Sequence, residues 1–139
     1  MKKIISIFLF SFLLPFYFLG QDTFDLKIKV ENIGKMEGEL RICLGNKKKD
    51  FLKKCYQFQS VKVTQKEMWI IFKNIPTGKY VINIYHDEDN NGELNTNGLF
   101  GSPSEDYGFS NNPKSLFGPP SFKKCLFDIN SNTEISIKL

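Results

Sequence analysis

The segment Pro76-Thr77-Gly78-Lys79-Tyr80-Val81-Ile82-Asn83-Ile84-Tyr85-His86-Asp87 runs from a turn through a strand to the start of a loop. Pro fixes one backbone angle and Gly accepts a positive one, so Pro76-Thr77-Gly78 predicts a tight turn. Tyr80, Ile82 and Ile84 then alternate with Val81, Asn83 and Tyr85. Apolar residues in both sets predict a strand covered on both faces, hence one at the centre of the fold.

The same period of two extends outward in both directions. Phe24, Leu26, Ile28 and Val30 alternate with Asp25, Lys27 and Lys29, which predicts a half-buried strand. Gly34 to Gly38 predicts a turn and Leu40, Ile42 and Leu44 a second strand, ended by Gly45 and a solvated tip at Lys47, Lys48 and Lys49. Phe51 and Leu52 suit one turn of helix or a tuck under the sheet. Val61 and Val63 suggest a third strand. Met68 to Phe72 follows as a fourth, with Trp69 and Ile71 on one face and Met68, Ile70 and Phe72 on the other. Phe122 to Ile129 and Glu134 to Leu139 are expected to close the chain as a hairpin. About seven strands with short turns predict an all-β, single-domain β-sandwich carrying one long Gly/Asn-rich loop from His86 to Pro120. A loop of that length inside a compact domain carries function or is held by something.

The N-terminus points to export. Lys2 and Lys3 precede an uncharged run from Ile4 to Leu19, the layout of a signal peptide. That run falls short of the roughly 18 to 20 residues that span a bilayer, and cleavage is expected after Gly20. Residues 21–139 then form the folded domain, secreted or periplasmic and not membrane-spanning once cleaved. Without Lys2 and Lys3, 17 of the 19 basic residues remain against 15 acidic ones. A net charge of +2 gives no reason to expect nucleic acid as a partner. Disulfides persist in such a compartment. Cys43 and Cys55 flank the expected loop after the second strand and are paired here, with Cys125 either an alternative partner or a small buried side chain.

Charge is distributed unevenly. Tyr80 to Pro113 contains no Lys or Arg but six acids: Asp87, Glu88, Asp89, Glu93, Glu105 and Asp106. Within it, Asp87, Asp89 and Asn91 place oxygens at every second residue. Gly92 permits a sharp turn, after which the Glu93 carbonyl and Asn95 can face the same centre. Hard cations such as Ca²⁺ take six to eight oxygen ligands, and one looped segment supplies several of them at little ordering cost. Gly98 stands where an EF-hand would carry its bidentate Glu, so an EF-hand is excluded. Glu105 or Asp106 can supply that carboxylate instead. The expected set is Asp87, Asp89, Asn91, Glu93, Asn95 and Glu105, with Ca²⁺ stabilising the loop at 86–98; the alternative is a loop built of Asx turns alone.

His86 is the only histidine, and it suits a hydrogen-bonded position at the strand end better than a zinc ligand or a general base. No nucleophile motif accompanies Ser102, Ser104 or Ser110. The expected function is therefore that of a non-catalytic binding or structural module, and the alternative is a cation-dependent hydrolase using His86 with neighbouring carboxylates. Tyr107, Phe109, Asn111 and Asn112 form a second cluster. An aromatic pair beside amides can stack on and hydrogen-bond a partner, expected to be a surface glycan or an envelope protein; the same residues can equally anchor and cap the loop.

These motifs, taken in order, resemble the DUF2141 family of uncharacterised exported bacterial proteins. The resemblance is carried by Pro76 to Tyr80, His86 to Gly92, Gly101, Pro103, Glu105, Tyr107 to Asn112, Gly118, Pro119 and Phe122. It implies export and a β-rich fold and assigns no activity. Asn95 stands where the family usually has Asp, which removes one charge from the cation set. The turn and strand leading into His86 and Asp87 are also similar to those of transthyretin-like and carboxypeptidase-regulatory sandwiches, an analogy of fold only.

Overall fold

The structure, a computed structural model, describes residues 20–99, 101–115 and 117–139. Of the expected signal peptide at 1–20, residues 1–19 lie outside the described residues. Among those described, no helix is long and apolar enough to cross a membrane.

Alternating apolar residues give strands wherever the pattern runs. In chain order these are β1 (Thr23–Glu31), β2 (Glu39–Gly45), β3 (Gln57–Lys62), β4 (Met68–Pro76), β5 (Gly78–Asp87), β6 (Thr96–Asn97), β7 (Ser102–Pro103), β8 (Tyr107–Phe109), β9 (Phe127–Ile129) and β10 (Thr133–Lys138). One sheet has the order β10-β1-β4 and the other β3-β2-β5-β8, while β9 pairs with the first residues of β5. The protein is an all-β, sandwich-like single domain, and β5 is central as its two apolar faces require. Inward-facing Leu26, Ile28 and Val30 of β1 meet Leu40, Ile42 and Leu44 of β2 and Ile82 and Ile84 of β5 in one buried cluster. Each such side chain contributes roughly 1.5–3 kcal/mol on burial.

The other face of β5 is covered by a smaller cluster. Val81 packs there with Phe109 and Cys125, flanked by Phe51, Phe122 and Leu126. The Phe51 and Phe122 rings meet edge to face at 5.5 Å, within the favourable range for an aromatic pair. Phe51 follows a 3-10 turn at Lys48–Asp50 and so tucks against the sheet, whereas Leu52 is exposed. In the fourth strand Ile70 and Phe72 are buried and Trp69 and Ile71 face outward.

The expected closing hairpin is not formed. Phe122–Cys125 is a single helical turn, α1, and β9 starts after it. Pro119 and Pro120 lead into Ser121, which occupies the N-cap position of that turn. β10 pairs not with β9 but in parallel with β1, in the register Ile28↔Ile135 and Val30↔Ile137, so that both strands point their apolar sets into the core together. The third strand lies earlier than expected and leaves Val63 just beyond it, where its N–H donates to the Gly38 carbonyl at 3.0 Å. The long loop is interrupted by β6, β7 and β8.

Cys43 and Cys55 form the disulfide, with Cα atoms 5.3 Å apart. Cys125 is free and buried, and burial pushes its thiol pKa up to about 11.

Candidate metal centre at the end of the central strand

Alternation persists to the last residues of β5 and sorts their chemistry. Ile84 and His86 face the inter-sheet core, while Asn83, Tyr85 and Asp87 face the other side, where the loop returns. Asp87 is fully buried. Its two oxygens accept the N–H groups of Asn91 at 3.0 Å and Gly92 at 2.8 Å, folding the loop back onto the strand end. Gly92 adopts φ +86°, a conformation open to Gly and strained for other residues. The Tyr85 hydroxyl donates to the Gly92 carbonyl at 2.8 Å and fixes the turn from below.

Asp89 accepts from the Asn91 N–H at 3.2 Å and from the side-chain amides of Asn91 and Asn95, each at 3.0 Å. The Asn95 amide is the main cause holding the Asp89 carboxyl below its usual pKa. Asn91 in turn accepts the Glu93 N–H at 2.7 Å. Glu105 arrives from the far part of the loop and is 6% exposed. Its carboxylate accepts the N–H of Glu88 and the N–H of Asn95, both at 2.9 Å, and so clamps the two flanks of the loop together.

Carboxylate oxygens of Asp87, Asp89 and Glu105 lie within 4.8 Å of one another. Of the sequence-predicted set, Asp87, Asp89 and Glu105 are brought together, Asn91 and Asn95 hydrogen-bond to Asp89, and the Glu93 side chain is exposed. Sequence reasoning missed Arg41. Although 80–113 lacks basic residues, the pairing Arg41↔Tyr85 sets the guanidinium beside the site, 3.7 Å from Asp87. It also lies over the Phe58 ring, 5.1 Å from its centroid. Three carboxylates and one guanidinium leave the site two charges negative, the complement of a divalent cation.

The Tyr107 cluster divides in two. Asn111 donates its amide to the carbonyls of Lys124 and Leu126, and the Asn112 amide bonds the Ser136 carbonyl and the Lys138 N–H, tying β8 to β10. Phe109 is largely buried, whereas Tyr107 is 41% exposed. Tyr107 and Phe109 line an open cleft of about 620 Å³ together with Tyr85, Leu94, Thr96 and Pro103, so part of the cleft wall is the loop that carries the carboxylates.

Residues 28–137 match the family model described as an uncharacterized protein conserved in bacteria (DUF2141). The chain belongs to the DUF2141 family. The match takes in both sheets, the carboxylate cluster and the cleft, so the whole arrangement lies inside the DUF2141 domain. No curated protein and no solved structure matches the chain.

Proposed function

We propose that this DUF2141 protein is an exported, non-catalytic binding module whose 86–98 loop is stabilised by Ca²⁺. The observation that carries it is the convergence of Asp87, Asp89 and Glu105 from two ends of the loop onto one centre with a residual charge of two. An all-oxygen donor set favours a hard cation over a transition metal. Asn91 and Asn95 turn their amide oxygens inward on binding, and the Glu93 carbonyl completes the set. The disulfide agrees with an oxidising compartment, and the layout of 1–20 is the reason for placing the protein in the periplasm or outside the cell.

The cleft beside the loop is the proposed binding surface, and of the two partners considered it suits a surface glycan better than an envelope protein. The exposed Tyr107 ring offers a stacking face, and Asn83, Thr96 and Ser102 offer hydrogen bonds within the same cleft. His86 is fully buried with Nε2 2.7 Å from the Glu37 carbonyl, which favours binding over hydrolysis. The test is retention of soluble envelope polysaccharide by immobilised protein, in Ca²⁺ and in chelator, with reducing ends assayed in parallel. Retention that needs Ca²⁺ and falls in Tyr107→Ala is expected. Release of reducing ends that His86→Gln abolishes would establish the hydrolase instead.

A further inference from the structure

The inward side of the β5 terminus carries a second arrangement, separate from the calcium loop. His86 and Glu88 group with Asp106, whereas Asp87 and Asp89 group with Glu105. His86 is fully buried beneath the turn after β1. Its backbone N–H donates to the Asp106 carbonyl at 2.8 Å, and its ring Nε2 lies 2.7 Å from the Glu37 carbonyl. A carbonyl can only accept, so Nε2 carries a proton, and in the neutral form of the ring the lone pair is then on Nδ1. Nδ1 is buried and meets no hydrogen-bonding partner among the described residues, a condition that costs stability unless something binds there.

What faces the ring is acidic. A ring nitrogen of His86 and carboxylate oxygens of Glu88 and Asp106 all lie within 4.8 Å of one another. Their exposure is graded, with His86 buried, Glu88 half-buried and Asp106 exposed, so the group opens to solvent with the imidazole at its floor. A cation already attends it, since the Lys35 ammonium is paired with Glu88 and lies 3.9 Å from Glu37. Lys35 is itself 60% exposed on its side chain and free to swing away. A backbone carbonyl fixing the tautomer of an imidazole is the usual outer-shell support of a metal-bound histidine. One nitrogen and two carboxylates with open positions suit a borderline cation such as Zn²⁺ rather than Ca²⁺.

We propose that His86 Nδ1, Glu88 and Asp106 form a second cation site, specific for a divalent transition metal, from which Lys35 is displaced on binding. This does not rest on the calcium loop, whose ligands are different side chains. The test uses untagged ¹⁵N-labelled protein saturated with Ca²⁺ and titrated with Zn²⁺. The chain has one histidine, so a single imidazole is observed. The expected result is a saturable shift of Nδ1 while Nε2 stays protonated. Glu88→Gln and Asp106→Asn should each weaken Zn²⁺ about tenfold or more, and Lys35→Met should tighten it. Asp89→Asn, which disables the calcium loop, should leave the Zn²⁺ response in place. An unmoved Nδ1 at saturating Zn²⁺, or wild-type affinity in the Glu88 and Asp106 variants, would overturn the site.

Discussion

The inter-sheet core and the 87–106 loop are joined through one strand and held by different forces. Along β5, Tyr80, Ile82 and Ile84 enter a cluster with no charge in it, and its stability is set by apolar area and fit. Beyond Tyr85 the chain is held instead by carboxylates, with Asp87 and Glu105 each accepting two backbone N–H groups of the loop. Apolar packing is complete within the protein, whereas a cluster of three carboxylates against one guanidinium keeps a net charge of minus two, which a cation from solution would neutralise. The core therefore sets the stability of the whole domain, and in the proposed reading the loop makes part of that stability conditional on a cation.

Breaking the core should have the largest effect. Phe72 is among the largest fully buried side chains, and Phe72→Ala should cost about 3–5 kcal/mol in denaturant unfolding, equally in Ca²⁺ and in chelator. A cost that differed between the two conditions would mean that Phe72 is energetically coupled to the cation rather than independent of it. Next comes the disulfide, which closes a span of 12 residues at the β2–β3 loop. Its removal as Cys43→Ser with Cys55→Ser should cost about 2–3 kcal/mol, and reduction of the wild-type protein should reproduce that loss.

Asn112 tests how the two regions are fastened. Asn112→Ala removes both amide links between the loop and β10 and should cost about 1–2 kcal/mol, with faster amide exchange at Ser136 and Lys138. The smallest effect belongs to Cys125. Burial pushes its thiol pKa up to about 11 in the fold, from the ordinary value of 9.0 that holds in the unfolded chain. Between these values the unfolded chain binds fewer protons, so stability falls as pH rises. Cys125→Ala should lack that component, about 1 kcal/mol by pH 10. The native thiol should also resist alkylation until the protein unfolds.

The elements legible in the sequence are those encoded locally. Alternation in 24–30, 40–44, 68–72 and 80–85 names strands because one face of each is buried, and Pro76 and Gly78 mark the turn between two of them. Asp87, Asp89 and Asn91 were legible because a single looped segment brings them together. Glu105 was legible only as one of two carboxylates, with Asp106, that the far part of the loop could bring back. Contacts created only by the assembled sheets were not. Parallel pairing of β10 with β1 leaves no local signal, and Phe122 to Ile129 has apolar content without the turn chemistry that would separate α1 from β9. Arg41 lies in β2 as an ordinary outward residue, and only the pairing of β2 with β5 sets it against Asp87. Lys35 reaches Glu88 in the same long-range way.

Thermal unfolding in excess Ca²⁺ and in chelator, on wild-type protein and on Glu105→Gln, puts the conditional stability of the loop directly to the test. A cation bound only by the folded state must raise stability, by about 2.7 kcal/mol at a hundred times its dissociation constant. Wild-type protein should gain that increment in Ca²⁺, and Glu105→Gln should lose most of it while unfolding much like wild type in chelator. Identical unfolding of wild-type protein with and without Ca²⁺, or a full gain retained by Glu105→Gln, would contradict a calcium-stabilised loop.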